Sequence, residues 1–136
     1  MARAMTVFPV GQLIAWGCAD GLGEAEIAAY DAPFPDEAFK AGVKSFPGLI
    51  PLTPDNPAVP DQITAWRALE RFERPFLCAF SDKDPMNRGG DRQLKARIPG
   101  AQGQPHTTIA GGGHFLQEDR GAELAAAVLA FLANVG

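Results

Sequence analysis

Two short segments in the second half of the chain have the length and pattern of buried β-strands. Residues 76–80 form a continuous apolar run, which is typical of a strand covered on both faces, as in a parallel sheet. Thr107–Ile109 is a β-branched run with the same expected structure. Stretches that predict helices surround these strands, at residues 24–30, 36–46, 61–72, 91–98 and 118–134. The pattern therefore predicts an α/β fold, with two parallel strands and flanking helices.

Prolines recur through residues 47–60, between the helical first part of the chain and the predicted strands. Such a segment predicts an extended connection. Its apolar residues Leu49, Ile50 and Leu52 favour burial over a disordered linker. We therefore expect a boundary between two structural layers in this region.

Polar side chains follow both predicted strands. Asp82 and Asp84 come directly after the first strand, and His114 follows the second strand behind a turn of three glycines, which lack the Cβ that would restrict a sharp bend. Neighbouring parallel strands lie about 4.8 Å apart, so an aspartate beyond one strand can reach an imidazole beyond the next. A carboxylate on one imidazole nitrogen selects the tautomer and leaves the other nitrogen to act as a base. The pattern indicates an acid–base pair, and it leaves open a histidine that only hydrogen-bonds its neighbours.

Three further parts of the sequence carry residues that could take part in catalysis. Asp84 is favoured over Asp82 as the acid because Pro85 restricts the turn that follows it. Asp82 is expected to be a solvated loop acid, and His106 is expected to begin a strand without a catalytic task. A glycine turn at residues 17–21 resembles the G-x-S-x-G elbow of nucleophilic hydrolases, but its central position is Ala19, which has no nucleophile.

Length, charge and cysteine content narrow the class of protein. The 136 residues are enough for one domain with a core. The net charge of -4 and the scattered basic residues argue against nucleic-acid binding, and no apolar run approaches the roughly 20 residues that span a membrane. The N-terminus has no apolar segment typical of an export signal, so Cys18 and Cys78 are expected to be reduced thiols in a cytoplasmic protein. Neither cysteine has metal-ligand spacing, and no cofactor is expected.

Three segments resemble the C-terminal half of haloalkane dehalogenases, within the α/β-hydrolase superfamily. They read AYDAPFPDEAFKAGVKSFP, FLCAFSDKDP and GQPHTTIAGGGHFLQED. The resemblance implies that residues 1–55 are the remainder of a helical cap and that residues 56–136 are the C-terminal part of an α/β-hydrolase main domain. It also implies roles for individual residues. Asp84 matches the triad acid and His114 the base, while pocket-lining positions of the family fall at Phe46, Pro47, Ile50 and Met86.

The same resemblance implies an activity. Haloalkane dehalogenases hydrolyse carbon–halogen bonds through an alkyl ester on an aspartate, with a small haloalkane and water as substrates and without a cofactor. That aspartate and the halide-binding tryptophan after it lie early in the family's sequence, a second halide-binding side chain lies elsewhere, and none of them has a counterpart here. The chain is therefore expected to be inactive by itself and to need the missing N-terminal half. A fragment of another α/β-hydrolase, either an epoxide hydrolase or an esterase, and a non-catalytic truncated chain remain the alternatives.

Overall fold

The computed structural model of the protein describes residues 7–135. Residues 1–6, where the sequence predicts no export signal, and residue 136 lie outside the described part. The elements are, in chain order, α1 (Val10–Gly17), α2 (Glu24–Asp31), α3 (Ala41–Ser45), α4 (Val59–Leu69), β1 (Ala79–Ser81), α5 (Gly90–Arg97), β2 (Thr107–Ile109), α6 (Leu116–Asp119) and α7 (Gly121–Val135). Short 3-10 helices cover Glu37–Lys40, Phe46–Leu49 and Pro99–Ala101.

The sheet is a parallel pair of strands, as the sequence predicts. β1 and β2 pair with Ala79 opposite Thr107 and Ser81 opposite Ile109. β2 has the predicted bounds, but β1 is shorter than the predicted strand at 76–80 and lies nearer to the C-terminus. The reason is that the N–H group of Phe76 donates to the carbonyl of Gly100 (2.9 Å) instead of to a strand. The predicted α/β fold class is thus confirmed, with a correction to the first strand.

The chain forms two compact units. Of the described residues, the first comprises 7–15 and 22–67, and the second comprises 16–21 and 68–135. The core of the second unit consists of Cys18, Cys78, Ile98, Ala101, Ile109 and Leu116. This core anchors both strands, because Cys78 directly precedes β1 and Ile109 ends β2. The cap predicted at residues 1–55 stays a prediction.

Two helical segments differ from their predicted form. The segment predicted as one helix at 36–46 divides into the 3-10 helix Glu37–Lys40 and α3. It begins as expected for an acidic N-cap, because the Asp36 side chain accepts a hydrogen bond from the N–H of Ala38 (2.8 Å). The helix predicted at 118–134 is not continuous, because Arg120 leaves the helical region with φ -143° and ψ 47° and separates α6 from α7.

Apolar patterning overestimated burial. Leu49, Ile50 and Leu52 are all exposed, so the predicted burial of the proline-rich segment is wrong. Ile63 in α4 is exposed as well. An apolar stripe indicates which face of a helix would be buried, but burial requires a second surface that packs against this face. Within residues 7–135 no helix is both long enough and apolar enough to cross a bilayer.

A buried lysine organises part of the first unit. The Lys40 side chain is only 10% exposed, and its ammonium donates to the carbonyl of Phe8 (2.8 Å) and to the Glu37 carboxylate (2.7 Å). Lys44 donates to the other oxygen of Glu37. The hydrogen bond from Lys40, followed by that from Lys44, lowers the pKa of Glu37 to about 2, although desolvation acts in the opposite direction. The pair of lysines therefore holds Glu37 ionised at neutral pH.

We expect the Glu37 cluster to make stability depend on acid pH. The pKa of Glu37 is about 2 in the folded protein against an ordinary value of 4.5. The stabilisation by the carboxylate is therefore complete above pH 4.5 and is lost as the pH falls from 4.5 towards 2. Thermal unfolding of Glu37→Gln should show a lower midpoint than the unchanged chain at neutral pH, and the difference should shrink with acidification. Glu24→Gln, at an exposed carboxylate of α2, is the control. A Glu37→Gln deficit that stays constant with pH would contradict the assignment.

Candidate active site

The two strands present Asp84 and His114 at the same edge of the sheet. Asp84 lies three residues beyond β1, and His114 follows the glycine turn beyond β2. The turn is tied to β1 by two hydrogen bonds, from the hydroxyl of Ser81 to the carbonyl of Gly113 (2.7 Å) and from the N–H of Lys83 to the carbonyl of Gly112 (3.0 Å). The loop after β1 and the loop after β2 are therefore held against each other.

The turn at Gly111–Gly113 requires glycine for two different reasons. Gly111 has φ +81°, in the left-handed region that favours glycine. Gly113 has no such φ, but a Cβ there would lie 2.5 Å from the carbonyl oxygen of Gly17. That oxygen accepts the N–H of His114 at 2.7 Å. The backbone of residue 114 is thus fixed by close approach to the residue 17–21 segment.

The side chains of Asp84 and His114 are in contact. Nδ1 of His114 lies 3.2 Å from Oδ2 and 3.3 Å from Oδ1 of Asp84. The carboxylate is buried, with 8% of its side chain exposed, while 27% of the imidazole is exposed. An ionised carboxylate can only accept hydrogen bonds, so Nδ1 is the protonated nitrogen of the neutral ring. Nε2 is then left to accept a proton.

Asp84 is held in its ionised form by its neighbours. Burial raises its pKa, but four hydrogen-bond donors outweigh burial and hold the pKa below the ordinary value of 3.8. They are the backbone N–H groups of Met86 (2.8 Å) and Asn87 (3.1 Å), the side-chain amide of Asn87 (3.0 Å) and the ring of His114. The carboxylate of Asp84 is therefore negatively charged at neutral pH, where it can stabilise a positive charge on the imidazole.

A cavity of about 160 Å³ adjoins the pair. It is lined by the residues of β1 together with Asp84, Asn87, His114 and Leu116. Met86, predicted to line the substrate pocket, is 67% exposed and is not among these residues. Phe46, Pro47 and Ile50 lie in the first unit, with Phe46 and Pro47 in a 3-10 helix and Ile50 directly after it. The structure thus brings Asp84 and His114 together at this cavity, and the pocket-lining role of Phe46, Pro47, Ile50 and Met86 stays a prediction.

The competing acid and the second histidine have other partners. Oδ1 of Asp82 accepts the N–H of Gly111 at 2.7 Å, which fastens the glycine turn. In His106, Nδ1 accepts the N–H of Cys78 (3.0 Å), so Nε2 carries the proton and donates to the carbonyl of Ala101 (2.8 Å). Both ring nitrogens of His106 are therefore engaged by the backbone, and its tautomer is the opposite of that in His114.

Sequence reasoning missed Asn87 and Asp119. Asn87 carried a weak signal, because an asparagine in the loop after the acid is a common source of local hydrogen bonds. No sequence signal pointed to Asp119, because its role depends on a long-range contact. Its Oδ2 accepts hydrogen bonds from the N–H groups of Gly113 (2.7 Å) and of Ala19 (2.8 Å), and Ala19 lies 100 residues away. Burial raises the pKa of Asp119, but the donors from Ala19, Gly113 and Asp20 outweigh it and lower that pKa. Both side chains support the Asp84 and His114 loops.

Among residues 7–135 no group of three or more histidine, cysteine or acidic side chains is placed to hold a metal ion. Cys18 and Cys78 are free and buried, and burial raises the pKa of both thiols. The side chains at the cavity that can exchange a proton are the imidazole of His114 and the buried carboxylate of Asp84.

Parallel strands that end in an acid and then, after a turn, in a histidine are arranged as in the α/β-hydrolase class. No family model matches the chain, but curated relatives do, and the chain has part of the α/β-hydrolase fold. It is homologous to part of a haloalkane dehalogenase, which confirms the resemblance of the sequence motifs. It is 50% identical over 92% of its length to a haloalkane dehalogenase of Psychrobacter cryohalolentis. It is 47% identical over 96% of its length to one of Mycobacterium marinum, and 45% identical over 96% to haloalkane dehalogenase 1 of Mycobacterium tuberculosis. The chain spans only 41–43% of the length of these relatives.

Proposed function

We propose that this chain supplies the general base and its orienting acid to a haloalkane dehalogenase. The observation that carries the proposal is the contact of a buried, ionised Asp84 with Nδ1 of His114 beside a small cavity. It is supported by 45–50% identity to haloalkane dehalogenases along nearly the whole chain. The substrates would be a small haloalkane and water.

The reaction would proceed in two steps. First, an aspartate carboxylate attacks the carbon that bears the halogen, so a carbon–oxygen bond forms, the carbon–halogen bond breaks and halide leaves. Second, Nε2 of His114 removes a proton from a water molecule as the water attacks the carbonyl carbon of the ester. The bond between the carbonyl carbon and the alkoxide oxygen then breaks, the imidazolium of His114 returns its proton to that oxygen, and the alcohol leaves. The carboxyl group that remains loses its proton to water, which restores the aspartate and the neutral imidazole. No cofactor takes part in these steps.

Asp84 would act in the second step by stabilising charge. When Nε2 takes the proton from water, the imidazole becomes a cation next to a carboxylate that is 8% exposed. Opposite charges interact more strongly in such a partly desolvated site than in water. The carboxylate also keeps Nδ1 protonated, so that Nε2 is the nitrogen available to the water.

The nucleophile would come from outside these 136 residues. In the family the attacking aspartate precedes the segment that this chain matches, and the chain offers no candidate at its own glycine turn, where Ala19 stands. The chain by itself is therefore proposed to be inactive. Phe46, Pro47, Ile50 and Met86 would line the substrate pocket of the complete enzyme, residues 1–55 would belong to its cap, and the enzyme would be cytoplasmic.

The proposal is tested by adding the missing portion. The 136-residue chain is purified alone and as a chimera that carries, in front of it, the part of the P. cryohalolentis relative outside the match. Halide release from a short 1-bromoalkane is measured with an excess of substrate. We expect sustained release by the chimera and none by the chain alone, because loss of the nucleophile removes several orders of magnitude of rate.

Two results would contradict the proposal. Sustained halide release by the 136-residue chain would show that it needs no outside nucleophile. A folded chimera that releases no halide but hydrolyses an epoxide or an aryl ester would instead assign the acid–base pair to another α/β-hydrolase reaction. The unchanged P. cryohalolentis relative serves as the positive control for the halide assay.

A further inference from the structure

The side-chain amide of Asn87 lies between the two members of the proposed acid–base pair. Its nitrogen donates to Oδ2 of Asp84 at 3.0 Å and also lies 3.3 Å from Nδ1 of His114, which carries a hydrogen in the proposed tautomer and so does not accept from the amide. The amide oxygen could not take this place, because it would then face a carboxylate oxygen with no hydrogen between them. The hydrogen-bond network thus assigns the N–H side of the amide to Asp84.

The two oxygens of Asp84 are held in different ways. Oδ1 accepts two backbone N–H groups, from Met86 and from Asn87 itself. Oδ2 instead faces the side-chain amide of Asn87 and the ring of His114. The carboxylate plane turns about the Cβ–Cγ bond, and donors on Oδ1 alone restrain this rotation less than donors on both oxygens do. A donor on Oδ2 opposes this rotation, and the Asn87 amide is such a donor.

The orientation of the carboxylate matters because its hydrogen bond to His114 is long. Nδ1 is almost equally far from the two oxygens, at 3.2 and 3.3 Å, and both distances lie beyond the usual range for a charge-assisted hydrogen bond. A small rotation that moves Oδ2 towards water would lengthen the contact further. Asn87 is on the exposed side of the site, so water can reach Oδ2 once the amide is removed.

We propose that Asn87 is a positioning residue, whose side-chain amide holds the Asp84 carboxylate in the orientation that keeps the proton of His114 on Nδ1. This inference deepens the proposed function and rests on it, since it concerns the availability of Nε2 as the base. Asn87 acts through Asp84 and needs no contact with the substrate. Its loss shifts the neutral imidazole towards the tautomer with the proton on Nε2, which cannot accept a proton from water.

The tautomer can be read directly in the 136-residue chain by nuclear magnetic resonance. Long-range ¹H–¹⁵N spectra distinguish Nδ1–H from Nε2–H imidazoles, and the chain has two histidines. His106 serves as an internal reference, because its backbone partners hold it in the opposite, Nε2–H form. Spectra are recorded at mildly alkaline pH, where histidine rings in general are neutral.

The variant is Asn87→Ala, which keeps both backbone donors to Asp84. The matched control is Asn134→Ala, at an exposed asparagine of α7 whose amide donates to the carbonyl of Ala130 in its own helix (2.8 Å). We expect the unchanged chain and Asn134→Ala to show Nδ1–H for His114. In Asn87→Ala the ratio of Nδ1–H to Nε2–H should fall roughly fivefold, the equilibrium equivalent of one hydrogen bond.

The outcomes separate this inference from the proposed function. An undiminished Nδ1–H signal of His114 in Asn87→Ala would overturn the role of Asn87 and leave the acid–base pair intact. An Nε2–H signal of His114 in the unchanged chain would contradict the pair itself. If Asn87→Ala loses the reference signal of His106, and so its fold, Asn87→Leu is measured instead, because leucine matches the shape of asparagine without its donor.

Discussion

Replacing His114 with alanine in the chimera is expected to lower sustained halide release by about four orders of magnitude or more. Removing the base of a nucleophilic triad costs on this scale, because the acyl or alkyl intermediate can no longer be hydrolysed. The first halide should still leave, because the nucleophile attacks before His114 acts. The variant should therefore release about one halide per active site in a burst and then stop. Rapid-mixing halide detection and mass spectrometry of the protein check the burst and the covalent ester.

His106 provides the matched control for this experiment. His106→Gln changes the other histidine of the chain, and the side-chain amide of glutamine can replace the acceptor towards Cys78 and the donor towards Ala101. Its steady-state halide release should stay within a few-fold of the unchanged chimera. Repeated turnover by His114→Ala at a rate similar to that of His106→Gln would exclude His114 as the base.

Replacing Gly113 with alanine is expected to lower the free energy of unfolding by about 3 kcal/mol, because a methyl group at this position has no space. Its Cβ would lie 2.5 Å from the carbonyl oxygen of Gly17, 2.7 Å from the backbone nitrogen of Ala19 and 3.0 Å from Oδ2 of Asp119. Two of these atoms belong to the backbone and cannot rotate away. Relief of the clash requires the turn to move, and His114 is the next residue. Urea unfolding of the 136-residue chain measures the change.

Gly121→Ala is the control for Gly113→Ala, because it adds the same methyl group in the same unit without a clash. No atom lies within 4 Å of the Cβ position at Gly121, which begins α7. Alanine is the better helix former, so the stability of this variant should be unchanged or higher by up to about 1 kcal/mol. The Gly113→Ala chain should also lose the Nδ1–H signal of His114. Equal stability of the two variants would contradict the close approach of Gly113 to Gly17.

Much of the candidate site was predictable because its parts are local in sequence. The β-branched run of β2, the three glycines and His114 are contiguous, and Asp84 follows β1 within a few residues. Parallel pairing then brings Asp84 and His114 to one edge of the sheet. Asn87 was not predicted, because its contact with Asp84 depends on the conformation of the loop rather than on residue type.

Long-range contacts account for what the sequence pattern did not predict. The final helix reads as continuous, but Arg120 leaves the helical conformation and Asp119 binds the N–H groups of Gly113 and Ala19. Leu49, Ile50 and Leu52 were expected to be buried, yet all three are exposed. An apolar side chain is more stable when it is removed from water, but it is buried only where another surface packs against it.

The sequence by itself determined which segments are strands, where a carboxylate and an imidazole follow them, and that a sharp glycine turn precedes His114. These features follow from residue size, β-branching and the missing Cβ of glycine, all of which act within a few residues. Only the tertiary structure decided that Asp84 is buried against His114, that Asn87 and two backbone N–H groups hold its carboxylate, and that the residue 17–21 segment anchors the turn. The contacts of Asp84 with His114 and of the glycine turn with residues 17–21 join groups far apart in the chain. The contacts of Asp84 with Met86 and Asn87 are local, but they depend on the conformation that their loop adopts in the folded second unit.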